Sequence, residues 1–339
     1  RIARAAAGRG REAITVVQHP RRNTAQLVRD LRADPRVAMV EPDYIRRVKS
    51  PVDEPDYNRL WALDNTGQTV NYVSGTANAD IDFPEAWKLV DRTAPTVVVA
   101  IADTGLDVNH PDLEANLWTH PWEVPGNGLD DDGNGYVDDV HGYDFVLGTA
   151  TMTDSGDHGT HIAGTIAGDP ANGLGITGAY PAARVLPLKV SDDGTTMTTS
   201  ALLEAFDYAV ALKASGVNLV AINASYGGMS YSSFERDAIA DLNAAGIVLC
   251  AAAGNDGEDN DSVDAYPANY NLPNIITVAA SDQNNSLASF SNYGGASVDL
   301  AAPGENIYST GLVDALATDA SVTLGGTTHD AETVEFGGT

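Results

Sequence analysis

Three polar residues stand where short structural elements are predicted to end or begin. Asp103 follows the apolar run 97–102, His158 opens a segment rich in Gly and Ala, and Asn255 comes just after the apolar run 247–253. A carboxylate at a strand end can fix the tautomer of a histidine that acts as a general base. A side-chain amide at a strand end can donate a hydrogen bond to a developing oxyanion.

Each of these motifs also has a simpler explanation when it is taken alone. Asp103-Thr104-Gly105 is a tripeptide that aspartic proteases share, and an aspartate at a strand end often only caps a loop. His158 and His161 are compatible with ordinary polar groups beside a tightly packed helix, and Gly254-Asn255 is compatible with a plain turn. The aspartic protease alternative is disfavoured by the elements around these motifs.

Strands and helices alternate from Asp82 onward. This alternation predicts an α/β fold with a mainly parallel central sheet and helices on both faces, in which chemistry gathers at the carboxyl ends of the strands. Before it, residues 11–45 are predicted to form a small α+β unit, and 46–58 a linker. The predicted helices are 24–31, 200–215 and 232–246, and the predicted strands are 37–40, 96–102, 217–225, 247–253 and 274–280.

The charge is divided unevenly along the chain. Residues 1–50 contain 12 Lys and Arg against 5 Asp and Glu, whereas residues 51–339 contain 7 against 42. Two parts of opposite charge are expected to attract each other, and the acidic part would repel nucleic acid. No apolar run approaches the roughly 18 residues of a membrane span. The single cysteine, Cys250, lies in an apolar run and is predicted to be a buried, unreactive thiol.

The segment 130–139 contains many carboxylates. Its first six residues fit the D-x-[DN]-x-[DN]-G opening of a calcium loop, but position twelve is His141 instead of glutamate, so the segment is no EF-hand. A solvated acidic loop is the alternative. The calcium ligands predicted here are Asp130, Asp132 and Asn134, with Asp138 or Asp139 as the closing carboxylate.

In the order Asp, His, Asn, the three motifs resemble the subtilisin-like serine proteases, or subtilases. Residues 223–228, 288–294 and 298–304 resemble further segments of that family, and the likeness extends from about residue 58 to 310. It implies that Asp103 orients His158, that His158 acts as general base and then acid, and that Asn255 donates to the oxyanion. The substrate-binding residues that it implies are Gly194, Ser225, Tyr226, Gly227, Ala253, Gly254 and Ala265. The small apolar residues around that pocket suggest a large uncharged side chain before the scissile bond.

The resemblance also implies an organisation. Residues 1–50 resemble the C-terminal part of a subtilase propeptide, a folding chaperone and inhibitor, with an ordinary N-terminal subdomain as the alternative; cleavage is expected between Ile45 and Asn58. Residues 51–310 correspond to the catalytic domain, and 311–339 to the start of an inserted domain, possibly protease-associated. A second calcium site would include Asp112 and Asn172.

The family's nucleophile motif, which resembles Gly-Thr-Ser-Met-Ala, does not occur in the sequence. We therefore expect a secreted, monomeric, calcium-stabilised endopeptidase precursor that is truncated at both ends and is inactive as it stands. Its partners would be protein or peptide substrates and its own propeptide, with neither nucleic acid nor membrane. The alternative is a non-catalytic calcium-binding pseudo-protease.

Overall fold

The computed structural model describes residues 2–6, 14–37, 39–42, 51–90, 94–170, 172–312, 321–324, 327–330 and 333–336. The chain divides into two compact units, residues 1–49 and 50–339. Residues 45–50, the first part of the stretch in which propeptide cleavage is expected, lie outside the described residues.

The N-terminal unit is a small α+β structure. It comprises strands β1 (Ile2–Ala6), β2 (Ile14–Gln18) and β3 (Met39–Pro42) and helix α1 (Thr24–Arg32). The strands form an antiparallel sheet in the order β2-β1-β3. Asn23 caps α1 by accepting a hydrogen bond from the Gln26 N–H, and Gln26 bonds back to the Asn23 N–H. The helix predicted at 24–31 is confirmed, whereas the strand predicted at 37–40 lies two residues further on.

The second unit contains a long run of alternating strands and helices. Its strands are β4 (Thr69–Val70), β5 (Val73–Ser74), β6 (Val98–Asp103), β7 (Tyr143–Asp144), β8 (Arg184–Lys189), β9 (Leu219–Ala224), β10 (Val248–Ala252), β11 (Ile275–Ser281), β12 (Leu300–Pro303), β13 (Ile307–Thr310), β14 (Ser321–Leu324), β15 (Thr327–Asp330) and β16 (Thr333–Phe336). Its α-helices are α2 (Phe83–Leu89), α3 (His158–Ala167), α4 (Thr199–Ser215) and α5 (Ser233–Ala244). None of the helices in the described ranges is long and apolar enough to cross a membrane.

Seven strands form one sheet in the order β12-β11-β10-β9-β6-β8-β7, and every pairing in it is parallel. The predicted fold class, α/β with a mainly parallel central sheet, is confirmed. β6 lies near the middle of the sheet, where the topology brings β8 and β9 to its two sides. Residues at its carboxyl end therefore meet loops from both neighbouring strands.

Alternation along β6 assigns its side chains to the two faces. Val98, Ala100 and Ala102 pack in the large core that also holds α4 and α5, whereas Ile101 packs in a second core with α3. Because successive side chains of a strand point to opposite faces, Asp103 belongs to the face that α3 covers. The sequence of β6 thus directs the Asp103 carboxylate towards the helix that begins at His158.

The predicted linker differs from the structure where it is described. Residues 51–53 and 57–59 form two short 3-10 helices of the second unit. Tyr57 packs in an apolar cluster with Phe83 and Tyr308, and the Asp56 N–H donates to the Gly175 carbonyl. The prediction relied on prolines and charges and gave no weight to this buried aromatic ring.

Candidate active site

Asp103 and His158 lie in direct contact. The His158 Nδ1 atom lies 2.8 Å from Asp103 Oδ1 and 2.9 Å from Oδ2, and the carboxylate is fully buried at the end of β6. This hydrogen bond, assisted by the negative charge of Asp103 and of Asp154, raises the pKa of His158 above its ordinary value, although burial opposes the rise. Nδ1 is therefore committed to the carboxylate, and Nε2 is the ring atom left for chemistry.

Glycine allows α3 to approach β6 this closely. A Cβ on Gly159 would overlap the carbonyl oxygen of Gly105, and the Gly159 N–H donates to Thr104 Oγ1 at 3.0 Å. Gly105 has a φ of +117°, which a residue with a side chain rarely adopts. Both glycines flank the candidate pair, so their lack of side chains helps to bring Asp103 and His158 together.

The contacts of the two candidate aspartates argue against an aspartic protease. Asp154-Ser155-Gly156 is a second tripeptide of the Asp-Ser/Thr-Gly type, but its carboxylate bonds to Thr104 and Thr160. The partner of Asp103 is a histidine. Asp103 and Asp154 thus do not form the paired carboxylates on which aspartic proteases depend.

A groove of about 250 Å³ lies beside His158. Among the described residues, His158 Nε2 has no hydrogen-bond partner, and no serine hydroxyl is bonded to it. The Ser225 hydroxyl, which also lines the groove, accepts a hydrogen bond from the Asn223 side chain at 2.8 Å. Cys250 lines the same groove from β10 and is only partly buried, less so than the sequence predicted; burial nevertheless raises the pKa of its thiol and favours the protonated form.

Asn255 follows β10 and lines a second cavity of about 340 Å³. Ser225 and Ala252 line both cavities, so His158 and Asn255 stand on adjoining cavities. The turn that carries Asn255 is held by Asn292, whose side-chain oxygen accepts the N–H groups of Asp256 and Glu258. Sequence reasoning did not single out Asn292.

The second cavity collects most of the predicted substrate-binding residues. Ser225, Tyr226, Gly227, Ala253, Gly254 and Ala265 all line it. Three carboxylate residues outside the predicted set, Asp256, Glu258 and Asp264, line it as well. The cavity is therefore less apolar than the sequence suggested. Gly194, the remaining predicted substrate-binding residue, does not line this cavity. It lies against Ser155 and Gly156, with a φ of +74°.

Comparison with known proteins agrees with this geometry. The family model described as Peptidase_S8, "Subtilase family", matches residues 94–338. The chain belongs to the subtilase family.

Individual relatives give the same picture of this subtilase. It is 32% identical over 288 residues to the "Thermophilic serine proteinase" of Bacillus sp. (strain AK1), which covers 85% of the chain and 60% of that protein. It is 31% identical over 306 residues to the "Minor extracellular protease Epr" of Bacillus subtilis, covering 90% and 41%. A solved structure of a protease from Pseudoalteromonas arctica matches with a TM-score of 0.59 and 28% identity, covering 85% of the chain and 82% of that structure. The chain thus spans about three fifths or less of the length of these two relatives.

The structure groups two of the predicted calcium ligands, Asp130 and Asp132, with a carboxylate that the sequence did not indicate, Glu123. Carboxylate oxygens of Glu123, Asp130 and Asp132 lie within 4.8 Å of one another. Glu123 is buried, and its Oε2 atom has no hydrogen-bond partner among the described residues, as expected for an oxygen that a cation would satisfy. An all-oxygen carboxylate set fits calcium. Three backbone N–H groups hold the Asp130 carboxylate and lower its pKa.

The other two predicted ligands make different contacts. Asp138 has a φ of +54°, and its carboxylate turns back to accept the N–H groups of Asn127 and Gly128. The Asn134 side-chain oxygen accepts the Tyr136 N–H. Among the carboxylates of this region, Glu123 therefore joins Asp130 and Asp132 in the cluster, whereas Asp138 does not.

The second predicted calcium site contains a buried acidic group. Asp112 is almost fully buried, and its two oxygens accept hydrogen bonds from Asn172 Nδ2 at 2.7 Å and the Ile176 N–H at 2.9 Å. Burial raises the pKa of Asp112 to about 7, although the two hydrogen bonds act to lower it. The negative charges of Glu54 and Asp169 add to the rise. Glu54 is a buried carboxylate in the predicted linker and is not among the ligands that the sequence predicts. Converging buried carboxylates are the chemistry that a calcium ion would stabilise.

Proposed function

We propose that this subtilase chain contributes the acid–base and oxyanion groups of a serine endopeptidase. The observation that carries the proposal is the bond from His158 Nδ1 to the buried Asp103 carboxylate, with Nε2 left for the groove. A histidine held in this way has its tautomer fixed and its charged form stabilised. These are the requirements of a base that activates a serine hydroxyl.

In this mechanism His158 Nε2 takes the proton of a serine hydroxyl as the oxygen attacks the peptide carbonyl. Asp103 keeps the Nδ1 proton in place and stabilises the imidazolium that forms. Asn255 donates a hydrogen bond to the negative oxygen of the tetrahedral intermediate. His158 then returns the proton to the leaving amine, and water hydrolyses the acyl-enzyme by the reverse sequence. Residues 225–227 would pair with the substrate backbone as an added strand.

The nucleophile is proposed to come from chain beyond Thr339. Residues 1–339 contain no Gly-Thr-Ser-x-Ala-like motif, and the groove beside His158 has room for side chains of another segment. On this proposal residues 1–339 alone would not turn over a peptide bond.

Calcium and the N-terminal unit complete the proposal. Glu123, Asp130 and Asp132 would hold one calcium ion, and Asp112 with Asn172 and Glu54 would contribute to a second; both ions would neutralise neighbouring carboxylates and stabilise loops. The N-terminal unit would serve as the propeptide, whose excess of basic residues complements the acidic body. The protein would be a secreted monomer that acts on proteins or peptides, and the extracellular name of one relative supports the secretion. Its single cysteine allows no internal disulfide, so bound calcium would provide the stabilisation instead.

The deciding experiment is to sequence the coding DNA past codon 339. A Gly-Thr-Ser-x-Ala-like motif, directly or after an inserted domain, would support the enzyme. The product extended through that motif should hydrolyse peptides, and His158→Ala should abolish the activity. A stop codon, or the motif with its serine replaced, would overturn the proposal and leave a non-catalytic calcium-binding pseudo-protease.

A further inference from the structure

Asp154 has more hydrogen bonds than a surface loop residue requires. Its Oδ2 atom accepts the Thr160 N–H at 2.8 Å and the Thr160 hydroxyl at 2.6 Å. Its Oδ1 atom accepts the Thr104 hydroxyl at 2.5 Å and the Gly156 N–H at 3.0 Å. A carboxylate is an acceptor without donors of its own, so these four donors suit its ionised form.

The two threonines bonded to Asp154 belong to different elements. Thr104 follows Asp103 at the end of β6, and Thr160 lies two residues after His158 in the first turn of α3. Both threonines are buried, and Thr104 Oγ1 also accepts the Gly159 N–H. The Asp154 carboxylate thus connects Thr104, which follows Asp103, with Thr160, which lies two residues after His158.

This connection also replaces a missing helix cap. Asp157, the residue before α3, has a φ of +64°, and its side chain makes no capping hydrogen bond. Asp154 instead reaches the Thr160 N–H, one of the donors that the first turn leaves unsatisfied. The start of α3 is therefore fixed from the β6 loop and not from its own preceding residue.

We propose that Asp154 is a positioning residue, which holds the start of α3 against the end of β6 and thereby sets the hydrogen bond between Asp103 and His158. Only the use made of His158 as a base rests on the proposed function. Asp154 does not touch the reacting atoms. It acts through the threonines on either side of the pair.

The negative charge of Asp154 has a second effect, which can be measured. The negative charge of Asp154 helps to raise the pKa of His158, after the larger contributions of the Asp103 hydrogen bond and charge. His161, one turn further along α3, is another titratable group that lines the groove, and its Nε2 lies 3.3 Å from the Ile307 carbonyl oxygen. A substitution at Asp154 should therefore change both the pKa of His158 and its hydrogen bond to Asp103. A residue that only capped α3 would change neither.

The test is histidine NMR on residues 1–339, which requires no nucleophile. The chain contains seven histidines, and His158→Gln would assign the resonance of interest. The variants are Asp154→Asn, which removes the charge, and Asp154→Ala, which removes all four bonds. A third, Thr104→Val, removes the Thr104 hydroxyl with its bonds to Asp154 and to the Gly159 N–H at nearly constant volume. Asp261→Asn is the matched control, because Asp261 likewise accepts several backbone N–H groups, from Gly295, Ala296 and Ser297, away from the groove.

Asp154→Asn is expected to lower the pKa of His158, and Asp154→Ala to lower it further with loss of the low-field Nδ1–H resonance. Thr104→Val should weaken that resonance, and Asp261→Asn should leave it unchanged. A folded Asp154→Ala variant with an unaltered His158 pKa and resonance would overturn the proposal and reduce Asp154 to a cap. If that variant does not fold by circular dichroism, Asp154→Asn and Thr104→Val decide by the same criteria. A stop codon after residue 339 would remove the proposed function without changing any of these readings.

Discussion

Lys189 is the most deeply buried cation in the described part of the chain, and replacing it should be strongly destabilising. Its ammonium group lies 3.1 Å from Asp144 Oδ2, 3.2 Å from Asp192 Oδ1 and 3.5 Å from Thr153 Oγ1. Lys189 and Asp144 are each only 1% exposed, so neither charge is solvated by water. Lys189 also lies opposite Asp103 in the register of β8 with β6, which places this ion pair beside the candidate active site.

The expected magnitude follows from what Lys189→Met leaves behind. Asp144 Oδ1 accepts the N–H groups of Val146 and Leu147, but Oδ2 faces only the lysine. Methionine of similar length fills the space and leaves a buried carboxylate without its cation, a change that typically costs about 3–5 kcal/mol. Asp192 is 47% exposed and loses little, because water can replace its partner.

Urea unfolding followed by tryptophan fluorescence measures this loss, since all four tryptophans lie in the second unit. The double variant Lys189→Met/Asp144→Asn should recover most of the stability, because asparagine still accepts the two N–H groups and carries no charge. Lys88→Met, which breaks an exposed pair with Glu85, should change stability by less than about 0.5 kcal/mol. A loss below about 1 kcal/mol in Lys189→Met, or no recovery in the double variant, would refute the reasoning.

Three further predictions concern the buried Asp112 carboxyl group, the packing of α3 and the cavity beside Asn255. In EDTA, Asp112 should have a pKa of about 7 in the folded chain against about 3.9 in the unfolded chain, so the folded state holds the proton more tightly. The free energy of unfolding should therefore fall by up to about 4 kcal/mol as pH rises from 4 to 7. Urea titrations of Asp112→Asn should lack this fall, and a flat wild-type profile would contradict the prediction. Gly159→Ala should destabilise the second unit by about 1–3 kcal/mol because its Cβ would overlap the Gly105 carbonyl, whereas Gly228→Ala, with open space around it, should be neutral in the same assay. A peptide product ending in lysine should bind about two- to fivefold tighter by calorimetry than one ending in norleucine, because Asp256, Glu258 and Asp264 line the cavity; equal affinities would favour the uncharged preference suggested by the sequence.

The sequence predicted the fold from simple periodicities, whereas the resemblance to the subtilases implied that Asp103 meets His158; the alternation along β6 explains that contact physically. A continuous apolar run indicates a buried parallel strand, and its alternation decides which face the residue after it occupies. Asp103 follows Ile101 by two residues and so shares the face of α3, where the structure brings His158 to it. The catalytic roles of the two residues remain proposals, whereas the α/β sheet around them is confirmed.

Residues that act across long stretches of chain were not predicted. Glu54 raises the pKa of Asp112 from a segment interpreted as linker, and Asn292 supports the Asn255 turn from 37 positions away. In a chain with 47 acidic residues, a single glutamate carries no local sign that distinguishes it from a solvated surface group. Asp154 did carry such a sign, since it begins a second tripeptide of the Asp-Ser/Thr-Gly type, but only the packing of α3 on β6 shows which groups it bonds.

Even strong local patterns were altered by tertiary competition. The Ser232 to Glu235 spacing predicts a capping box, and the Ser232 hydroxyl does accept the Glu235 N–H. The Glu235 carboxylate, however, accepts the hydroxyls of Tyr226 and Tyr270 instead of returning to the Ser232 N–H, which donates to Tyr270. The two aromatic hydroxyls are otherwise buried donors, and satisfying them outweighs one local bond that another group can replace. The acidic segment 130–139 follows the same rule. Its sequence determines the backbone turn around Asp130, whereas Asp138 bonds to the Asn127 turn and Asp139 accepts the buried Tyr208 hydroxyl, so the two carboxylates diverge. A motif in the sequence therefore predicts the turn reliably, and the surrounding fold decides which of its carboxylates converge.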